Sequence, residues 1–392
     1  MTTPSTTNQV GALARTYRDT LLGDVVPFWL GHGVDAEYGG LMTCLDREGR
    51  VIDTDKGVWQ QGRFAWLMGR LYNTVERRPE WLAHAAHTVR FLRDRCFDAD
   101  GRMFFHVTRE GAPVRKRRYA FSESFASIAF AEYARATGQS EYAELALKTY
   151  RVFANHVPEP KFAATRPLKA MGRPMIDIAT CQCLRDAIGF AEADARIDLA
   201  IEEIRRDFMK PDLRCCMESV GPGGELVDHL DGRLLNPGHA IEGAWFILSE
   251  GRRRGDGAMV RTGLDILDWM WARGWDDVYG GILYFRDVYG HPVSEYWQDM
   301  KFWWPQNEAL IATLLAFQLT GDAKYAGWHT QLHDWYVKHF VDAEYGDCYG
   351  YLSRDGRVTS PVKGNLFKGC FHYPRQLLAC WRLCEELAGP AS

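Results

Sequence analysis

Several features that mark common protein classes are missing from this chain of 392 residues. The opening stretch MTTPSTTNQV has neither a basic segment nor an apolar run, so we expect no signal peptide there. No run of about eighteen apolar residues predicts a membrane span. The formal net charge is −4, which gives no electrostatic reason to expect nucleic acid or an anionic membrane as partner. We therefore expect a cytoplasmic protein.

The motifs of several familiar chemistries are missing as well. The sequence has no G-x-G-x-x-G, no G-x-x-x-x-G-K-[ST], no G-x-S-x-G and no H-E-x-x-H. Its ten cysteines include Cys181-x-Cys183 and the adjacent Cys215 and Cys216, but no paired C-x-x-C knuckle. We expect reduced thiols and no metal site, which leaves a chemistry that ordinary side chains perform.

What the chain does have is the composition of a globular protein with a sizeable core, 46% apolar and 25% charged. No Ser/Gly/Pro-rich linker divides it, so we predict one domain over residues 1–392. Fourteen Trp and seventeen Tyr are a high aromatic content. Most aromatic side chains pack in the core, but their flat rings can also stack on the apolar faces of sugar rings.

A recurrent unit runs along the chain. Turn-rich aromatic segments around D-G or G-G steps predict β-hairpins at 35–51, 97–114, 275–293 and 342–358, with a looser copy at 218–233. Between them the apolar periodicity predicts about twelve helices. Their ranges are 8–30, 57–75, 80–97, 121–137, 140–155, 174–191, 195–208, 237–250, 257–273, 301–319, 322–339 and 364–387.

Every second helix opens at a spacing of about sixty residues, near 57, 121, 174, 237, 301 and 364, broken once by a shorter interval. Six helical hairpins at a steady period predict an all-α fold, an (α/α)6 barrel with short β-hairpins in the loops over one central pocket. Chemistry is then expected at the starts of the inner helices. Asn236 followed by Pro237 reads as an N-cap and a first-turn proline, which fixes one such start.

Polar residues intrude at those helix starts in a repeated spacing. His239 and Glu242 lie three apart, and His372 and Arg375 repeat the interval on the last helix. Two further pairs lie one turn apart, Trp59 with Arg63 and Trp304 with Glu308. We predict that these helices direct His239, His372, Glu308 and Arg63 into one cavity. Trp303, Glu123 and Asp177, also at helix starts, complete the candidate substrate-binding set.

Each candidate has a purely structural alternative. A single histidine near a helix start is more often a structural hydrogen-bonding residue, although two at matching positions are harder to explain so. Arg63, among apolar neighbours, needs a buried carboxylate or a ligand oxygen. Trp303 and Trp304 are equally consistent with core packing. The basic run 115–118 reads mainly as a solvated hairpin edge, with an anionic effector site as the alternative.

Two histidines with a carboxylate and an arginine suit proton transfer beside a carbonyl. The histidine pKa near 6.5 lets one ring accept a proton while another donates one at neutral pH. The arginine can hold an oxyanion as an enediolate develops.

The sequence resembles the N-acylglucosamine 2-epimerase family, whose vertebrate members are also described as renin-binding protein. The matching stretches are DKGVWQQGRFAWLMGRLYN (55–73), GRLLNPGHAIEGAWFIL (232–248), MKFWWPQNEALIATLLAF (300–317) and GYLSRDGRVTSPVKGNLFKGCFHYPR (350–375). The resemblance implies an (α/α)6 barrel that interconverts N-acetylglucosamine and N-acetylmannosamine, in sialic-acid supply or amino-sugar salvage.

The resemblance also implies roles for single residues. His239 and His372 match the acid/base histidines of the family, Arg63 its substrate-anchoring arginine, and Glu308 the glutamate that supports the histidine pair. Glu242 and Arg375 match the residues that follow each histidine. No cofactor is required, and ATP acts on many members as an allosteric activator; residues 158–174 align loosely with that effector region. Members are usually homodimers.

Other functions remain open at this stage. An aldose–ketose isomerase or a cellobiose 2-epimerase uses the same enediolate on the same barrel. An inverting glycoside hydrolase would need two carboxylates about 6.5–9.5 Å apart, drawn from Glu123, Asp177, Glu242 and Glu308. A partner-binding protein without activity is the non-enzymatic alternative, and it would be expected to lose one of the histidines.

Overall fold

The computed structural model describes residues 4–158 and 162–389. Helices dominate these ranges. They are α1 (Pro4–Thr20), α2 (Val26–His32), α3 (Val58–Thr74), α4 (Pro79–Arg95), α5 (Phe121–Thr137), α6 (Ser140–Asn155), α7 (Gly172–Ile188), α8 (Ala193–Glu203), α9 (Pro237–Arg254), α10 (Gly257–Gly274), α11 (Trp303–Thr320), α12 (Ala323–His339) and α13 (His372–Ala388).

Short π-helical segments at Leu21–Val25 and Ile204–Phe208 follow α1 and α8, and 3-10 turns lie at Pro211–Leu213 and Asp231–Arg233. The strands are short. They are β1 (Cys44–Leu45), β2 (Val51–Asp53), β3 (Lys56–Gly57), β4 (His106–Val107), β5 (Pro113–Arg115), β6 (Lys169–Ala170), β7 (Met209–Lys210), β8 (Cys215–Cys216), β9 (Ser219–Val220), β10 (Leu234–Leu235), β11 (Arg286–Asp287), β12 (Lys301–Phe302), β13 (Tyr351–Leu352) and β14 (Val358–Ser360). All their pairings are antiparallel.

The helices form two concentric rings. Helices α3, α5, α7, α9, α11 and α13 follow one another around the inside, and each packs on an outer partner: α4, α6, α8, α10, α12 and α1 respectively. The apolar pattern assigns the layers. Helix α11 is buried on every side from Trp303 to Ala316, whereas α6 buries one stripe that runs from Tyr142 to Phe153. The fold is the predicted (α/α)6 barrel.

A repeated charged contact fastens the loops at the N-terminal ends of the inner helices. In three repeats an Asp accepts hydrogen bonds from a buried Lys that precedes the next inner helix and from an Arg of the following hairpin. These triplets are Asp35 with Lys56 and Arg109, Asp276 with Lys301 and Arg354, and Asp342 with Lys363 and Arg47. Burial opposes ionisation, but these bonds outweigh it and hold the pKa of each Asp carboxyl below its usual range. The Arg47–Asp342 pair links the first hairpin to the last loop and closes the ring.

Two buried glutamines fix the same loops to the inner helices. Gln61 donates to the Leu41 carbonyl and accepts from the Leu41 N–H, at 2.8 and 2.7 Å. Gln306 makes the same pair of bonds with Ile282, at 2.9 and 2.7 Å. Each amide therefore acts like one rung of a β-ladder, and the loops form a fixed rim around the central opening.

The structure departs from the predicted elements in three places. The last inner helix begins at His372 and not at 364, because the Asn365 side chain accepts from the N–H groups of Phe367 and Lys368 and so makes a turn. The predicted 275–293 hairpin is wrong in its pairing, since β11 pairs with β10. The looser hairpin predicted at 218–233 is wrong as well, since its strand β9 pairs with β6. The segments 35–51, 97–114 and 342–358 contain the predicted antiparallel turns. Across the described ranges, no helix combines the length and apolar character that crossing a membrane requires.

Candidate active site

The inner helices surround a cavity of about 1180 Å³ that extends from their first turns to their last, where Thr74, Arg253 and Glu386 line it. Its lining includes, among the candidates from the sequence, Trp59, Arg63, His239, Glu242, Trp303, Trp304, His372 and Arg375. Glu308 lies fully buried directly behind this surface. The expectation that the starts of the inner helices converge on one pocket is met for these residues.

His372, the first residue of α13, is held by Glu308 of α11. The His372 Nδ1–H donates to Glu308 Oε1 at 2.8 Å, so Nε2 is left as the proton acceptor of the ring. Glu308 Oε2 accepts from the Trp245 indole N–H at 2.8 Å, which fixes the carboxylate in turn. Burial first, and the positive charge of Arg63 second, lower the pKa of His372 well below the usual histidine value. His372 is therefore a neutral base at pH 7.

His239 has a similar carboxylate partner and a different environment. Its Nδ1–H donates to Glu218, with distances of 3.0 and 3.1 Å to the two carboxylate oxygens. Asn236 caps α9 by accepting from the His239 backbone N–H at 3.2 Å, as the sequence predicts. Burial lowers the pKa of His239, but the Glu218 charge outweighs it, and the net pKa is raised. His239 is thus the more readily protonated histidine.

Sequence reasoning missed Glu218. It lies just before β9, in the segment that reads as a loose hairpin copy, and reaches His239 across 21 positions of the chain. Neither helical spacing nor a recognisable motif connects the two residues. A polar residue next to the apolar Cys215-Cys216-Met217 run was the available signal, and it was a weak one.

The Trp304 ring contacts both histidines. Its centroid lies 4.9 Å from that of His239, at an interplanar angle of 33°, and 5.9 Å from that of His372. Trp303 meets His372 edge-on at 6.0 Å, and its indole N–H has no hydrogen-bond partner among the described residues. These two tryptophans are therefore part of the cavity wall as well as of the core.

A guanidinium joins the carboxylates beneath the histidines. Arg375 Nη2 contacts Glu308 Oε1 at 2.7 Å and also donates to Glu242 Oε1. The ligand atoms of Glu242, Glu308 and His372 lie within 4.8 Å of one another, a spacing that a metal ion could use. Arg375 already supplies the cation there, because its one nitrogen bonds both carboxylates.

Among the described residues, the buried cation Arg63 has no carboxylate partner. Its guanidinium carbon lies 4.2 Å from the centre of the Phe125 ring and 4.9 Å from that of Phe371. Its one hydrogen bond among the described residues runs from Nη1 to the Phe367 carbonyl, at a long 3.5 Å, and Nε has none. Burial lowers the pKa of Arg63 to about 9, which keeps it charged at pH 7. A buried guanidinium with free donors is suited to a ligand oxygen. Trp59 lies over the same guanidinium at 5.5 Å.

The structure does not bring Glu123 and Asp177 to the cavity, which corrects their place in the candidate set. Glu123 accepts from the Met103 N–H and from Arg102, on the outer side of α5. Asp177 accepts from the Tyr150 hydroxyl and from Arg196 on the outer helices. Both carboxylates sit at inner-helix starts as expected, but helical phase turns them away from the axis.

Of the two segments considered for an effector, the described part of 158–174 borders the site, because the Met171 N–H donates to the Glu218 carbonyl at 3.0 Å. In the basic run, Lys116 pairs with Asp98 and Asp100, Arg117 lies over the Phe105 ring, and Arg115 and Arg118 are exposed at the edge of β5. Of residues 158–174, positions 159–161 lie outside the described residues.

Comparison with known proteins gives the family. The sequence model of the N-acylglucosamine 2-epimerase (GlcNAc 2-epimerase) family matches residues 40–368. The chain is 36% identical to the N-acylglucosamine 2-epimerase of Homo sapiens, over 94% of this chain and 88% of that protein.

Solved structures agree on the fold. A cellobiose 2-epimerase from Bacillus thermoamylovorans has a TM-score of 0.83 at 20% identity and covers 95% of this chain and 99% of its own. A D-mannose isomerase has a TM-score of 0.81 at 18% identity and covers 94% and 97%. Because the family match spans most of the sequence and the human relative is similar along nearly the whole chain, this protein belongs to the N-acylglucosamine 2-epimerase family.

Proposed function

We propose that this protein interconverts N-acetylglucosamine and N-acetylmannosamine by moving the proton at C2 of the open-chain sugar. The observation that carries the proposal is the pair of histidines beside Trp304, each fixed at Nδ1 by a carboxylate and each with Nε2 free for a proton. The human relative at 36% identity, named N-acylglucosamine 2-epimerase, supports the choice of substrate.

His372 is the base in one direction of the reaction. The sugar opens to its aldehyde, whose carbonyl acidifies the C2–H bond. Neutral His372 Nε2 takes that proton, and Glu308 stabilises the imidazolium that forms. Arg63, a buried cation with free donors, holds the charge that grows on O1 as the enediolate develops.

His239 completes the inversion from the opposite face. Its raised pKa makes it the proton donor, and Glu218 keeps it protonated until the enediolate forms. The C2–H bond broken on one face is replaced by a C2–H bond formed on the other, so atoms and electrons balance without a redox partner. The reverse reaction exchanges the two roles. No cofactor is needed for these steps.

Related chemistries predict other products. Aldose–ketose isomerisation would move the proton from C2 to C1, but an acylated nitrogen at C2 blocks that outcome for an N-acetyl sugar. A cellobiose 2-epimerase would invert C2 of a disaccharide. An inverting hydrolase is disfavoured, since the oxygens of Glu242 and Glu308 lie within 4.8 Å of each other and both bond Arg375.

Single replacements of the histidines test the two-base mechanism. We expect both His239→Asn and His372→Asn to lose epimerisation by at least about a thousandfold while retaining the wild-type circular dichroism spectrum. In D₂O each variant keeps one base, so each should exchange the C2 proton of one epimer without inverting it, and the two variants should select opposite epimers. Near-normal turnover in both variants contradicts the proposal.

The family resemblance supports three further proposals: that the protein is a cytoplasmic homodimer, that ATP activates it without being consumed, and that it serves amino-sugar metabolism that includes sialic-acid supply. Light scattering on the purified protein measures the oligomeric state. Turnover with and without ATP measures activation, and a single rate for both conditions contradicts it.

A further inference from the structure

The indole of Trp245 reaches from α9 to the buried carboxylate of α11. Trp245 follows Glu242 by three positions, so one face of α9 carries both side chains, and both line the cavity. The indole N–H donates to Glu308 Oε2 at 2.8 Å. Trp245 is therefore joined to the carboxylate that holds the catalytic base.

The two oxygens of Glu308 have different partners. Oε1 accepts from His372 Nδ1 at 2.8 Å and contacts Arg375 Nη2 at 2.7 Å. Among the described residues, the indole of Trp245 is the one donor to Oε2. Because Glu308 is fully buried, an Oε2 without that donor would be a buried charged oxygen in need of a new partner.

Arg375 offers such a partner. It contacts Glu308 through Nη2, and its Nε, on the same edge of the guanidinium, has no hydrogen-bond partner in the part of the chain that the structure describes. Arginine–carboxylate pairs often form two parallel bonds, as Arg109 does with Asp35 through Nε and Nη2 at 3.0 and 2.9 Å. If Glu308 Oε2 turned to Nε in the same way, the carboxylate would leave the line of the His372 ring.

We propose that Trp245 is a positioning residue of the reaction, whose indole N–H keeps Glu308 Oε2 away from Arg375 Nε. Oε1 then stays on His372 Nδ1, and the imidazole keeps Nε2 free to accept the proton of C2. The inference rests on the proposed function, in which His372 is a base. Because Trp245 acts through Glu308, its loss should lower kcat and leave KM nearly unchanged.

Three variants test the role of the N–H. Trp245→Phe removes the donor and keeps an aromatic ring. Trp245→His restores a donor, since histidine Nε2 occupies the place in its five-membered ring that the N–H has in the indole. Trp381→Phe is the matched control, because the Trp381 N–H donates to Glu385 at 2.6 Å on α13, outside the cavity.

The kinetic outcome follows from the loss of one hydrogen bond to a charged group. We expect Trp245→Phe to lower kcat for N-acetylmannosamine by about 10- to 150-fold and to leave KM within threefold. Trp245→His should be at least tenfold faster than Trp245→Phe, and Trp381→Phe should stay within threefold of the wild type. A kcat of Trp245→Phe within threefold of the wild type overturns the proposal, as does a histidine variant no faster than the phenylalanine variant.

Proton exchange in D₂O separates positioning from general damage to the site. Trp245→Phe should slow the exchange of the C2 proton that His372 removes by the same factor as epimerisation. The exchange from the other epimer, whose proton His239 removes, should stay within threefold. Equal losses for both epimers overturn the proposal, because a merely structural defect would affect both histidines.

The wild-type protein separates this inference from the proposed function. If the wild type and Trp245→Phe epimerise N-acetylmannosamine equally well, the positioning role is wrong and the epimerase stands. If the wild type epimerises no sugar, ¹⁵N NMR of the histidine rings still tests the contact. The His372 proton should lie on Nδ1 in the wild type and move in part to Nε2 in Trp245→Phe, where Arg375 Nη2, 3.4 Å away, can donate to Nδ1. A proton that stays on Nδ1 in both proteins contradicts the inference.

Discussion

Replacing Glu218 by Gln removes the charge that distinguishes His239 from His372. The substitution keeps the shape of the side chain and leaves a neutral amide at 3.0 Å from Nδ1. A hydrogen bond to a charged group contributes about 1.5–3 kcal/mol. If the protonated state of His239 loses this stabilisation, kcat/KM at alkaline pH falls by about 10- to 150-fold.

The pH profile of the wild-type enzyme predicts whether Glu218→Gln costs more activity at high or at low pH. In the direction in which His372 is the base, activity needs His372 neutral and His239 protonated. The lowered pKa of His372 places the acid limb below the usual histidine value, and the raised pKa of His239 places the alkaline limb above it. Without the Glu218 charge, burial of His239 is opposed by the Glu242 charge alone, so the pKa of His239 falls and the alkaline limb moves to lower pH. The loss is therefore larger at pH 8 than at pH 6.

The assay is initial-rate epimerisation of N-acetylmannosamine from pH 5 to 9. Asp228→Asn is the matched control, since Asp228 is an exposed carboxylate of the same segment that pairs with Arg233. We expect the control to keep the wild-type profile. An alkaline limb that stays in place or moves upward in Glu218→Gln refutes the role given to this carboxylate.

Three other predictions concern stability and specificity. Arg63→Met should lower kcat/KM at least about a hundredfold yet leave the urea midpoint equal or higher, because an unpaired buried cation costs stability; a lower midpoint contradicts this. Lys301→Ala should destabilise by about 3–5 kcal/mol, since it leaves buried Asp276 without its lysine. Arg354→Ala, at the exposed side of the same carboxylate, should cost about 1 kcal/mol or less in urea unfolding; equal losses refute the distinction. Glu123→Gln should change stability and leave KM within twofold, because the Glu123 carboxylate lies outside the cavity. A large effect on KM would show that this carboxylate does contribute to the site.

The sequence predicts the ring of helices because the inner and outer helices differ in their apolar patterns. Helix α11 is apolar on all sides, the outer helices are amphipathic, and the hairpin segments recur at a steady interval. The start of α13 was predicted eight residues too early. The segment before His372 has apolar residues that suit a helix, but the Asn365 turn ends that pattern through contacts that periodicity does not contain.

The candidate site was predictable where its residues lie in register on inner helices. His239, Glu242, His372 and Arg375 share the same turn of their helices and reach the cavity together. The prediction that Glu123 and Asp177 line the cavity is wrong because of helical phase. Both residues sit at equivalent helix starts, but their side chains face outward. Glu218 lies just before β9, and its N–H donates to the Leu234 carbonyl in β10 at 3.1 Å, so contacts between distant parts of the chain bring it to His239.

The most direct test of the account is proton NMR of N-acetylmannosamine incubated with the purified protein in D₂O. We expect N-acetylglucosamine to appear with deuterium at C2, which reports inversion and proton transfer in one spectrum. The same run with ATP measures activation. N-acetylmannosamine that stays unchanged and keeps its C2 proton, with and without ATP, contradicts the proposed function and directs the search to mannose, glucose and cellobiose.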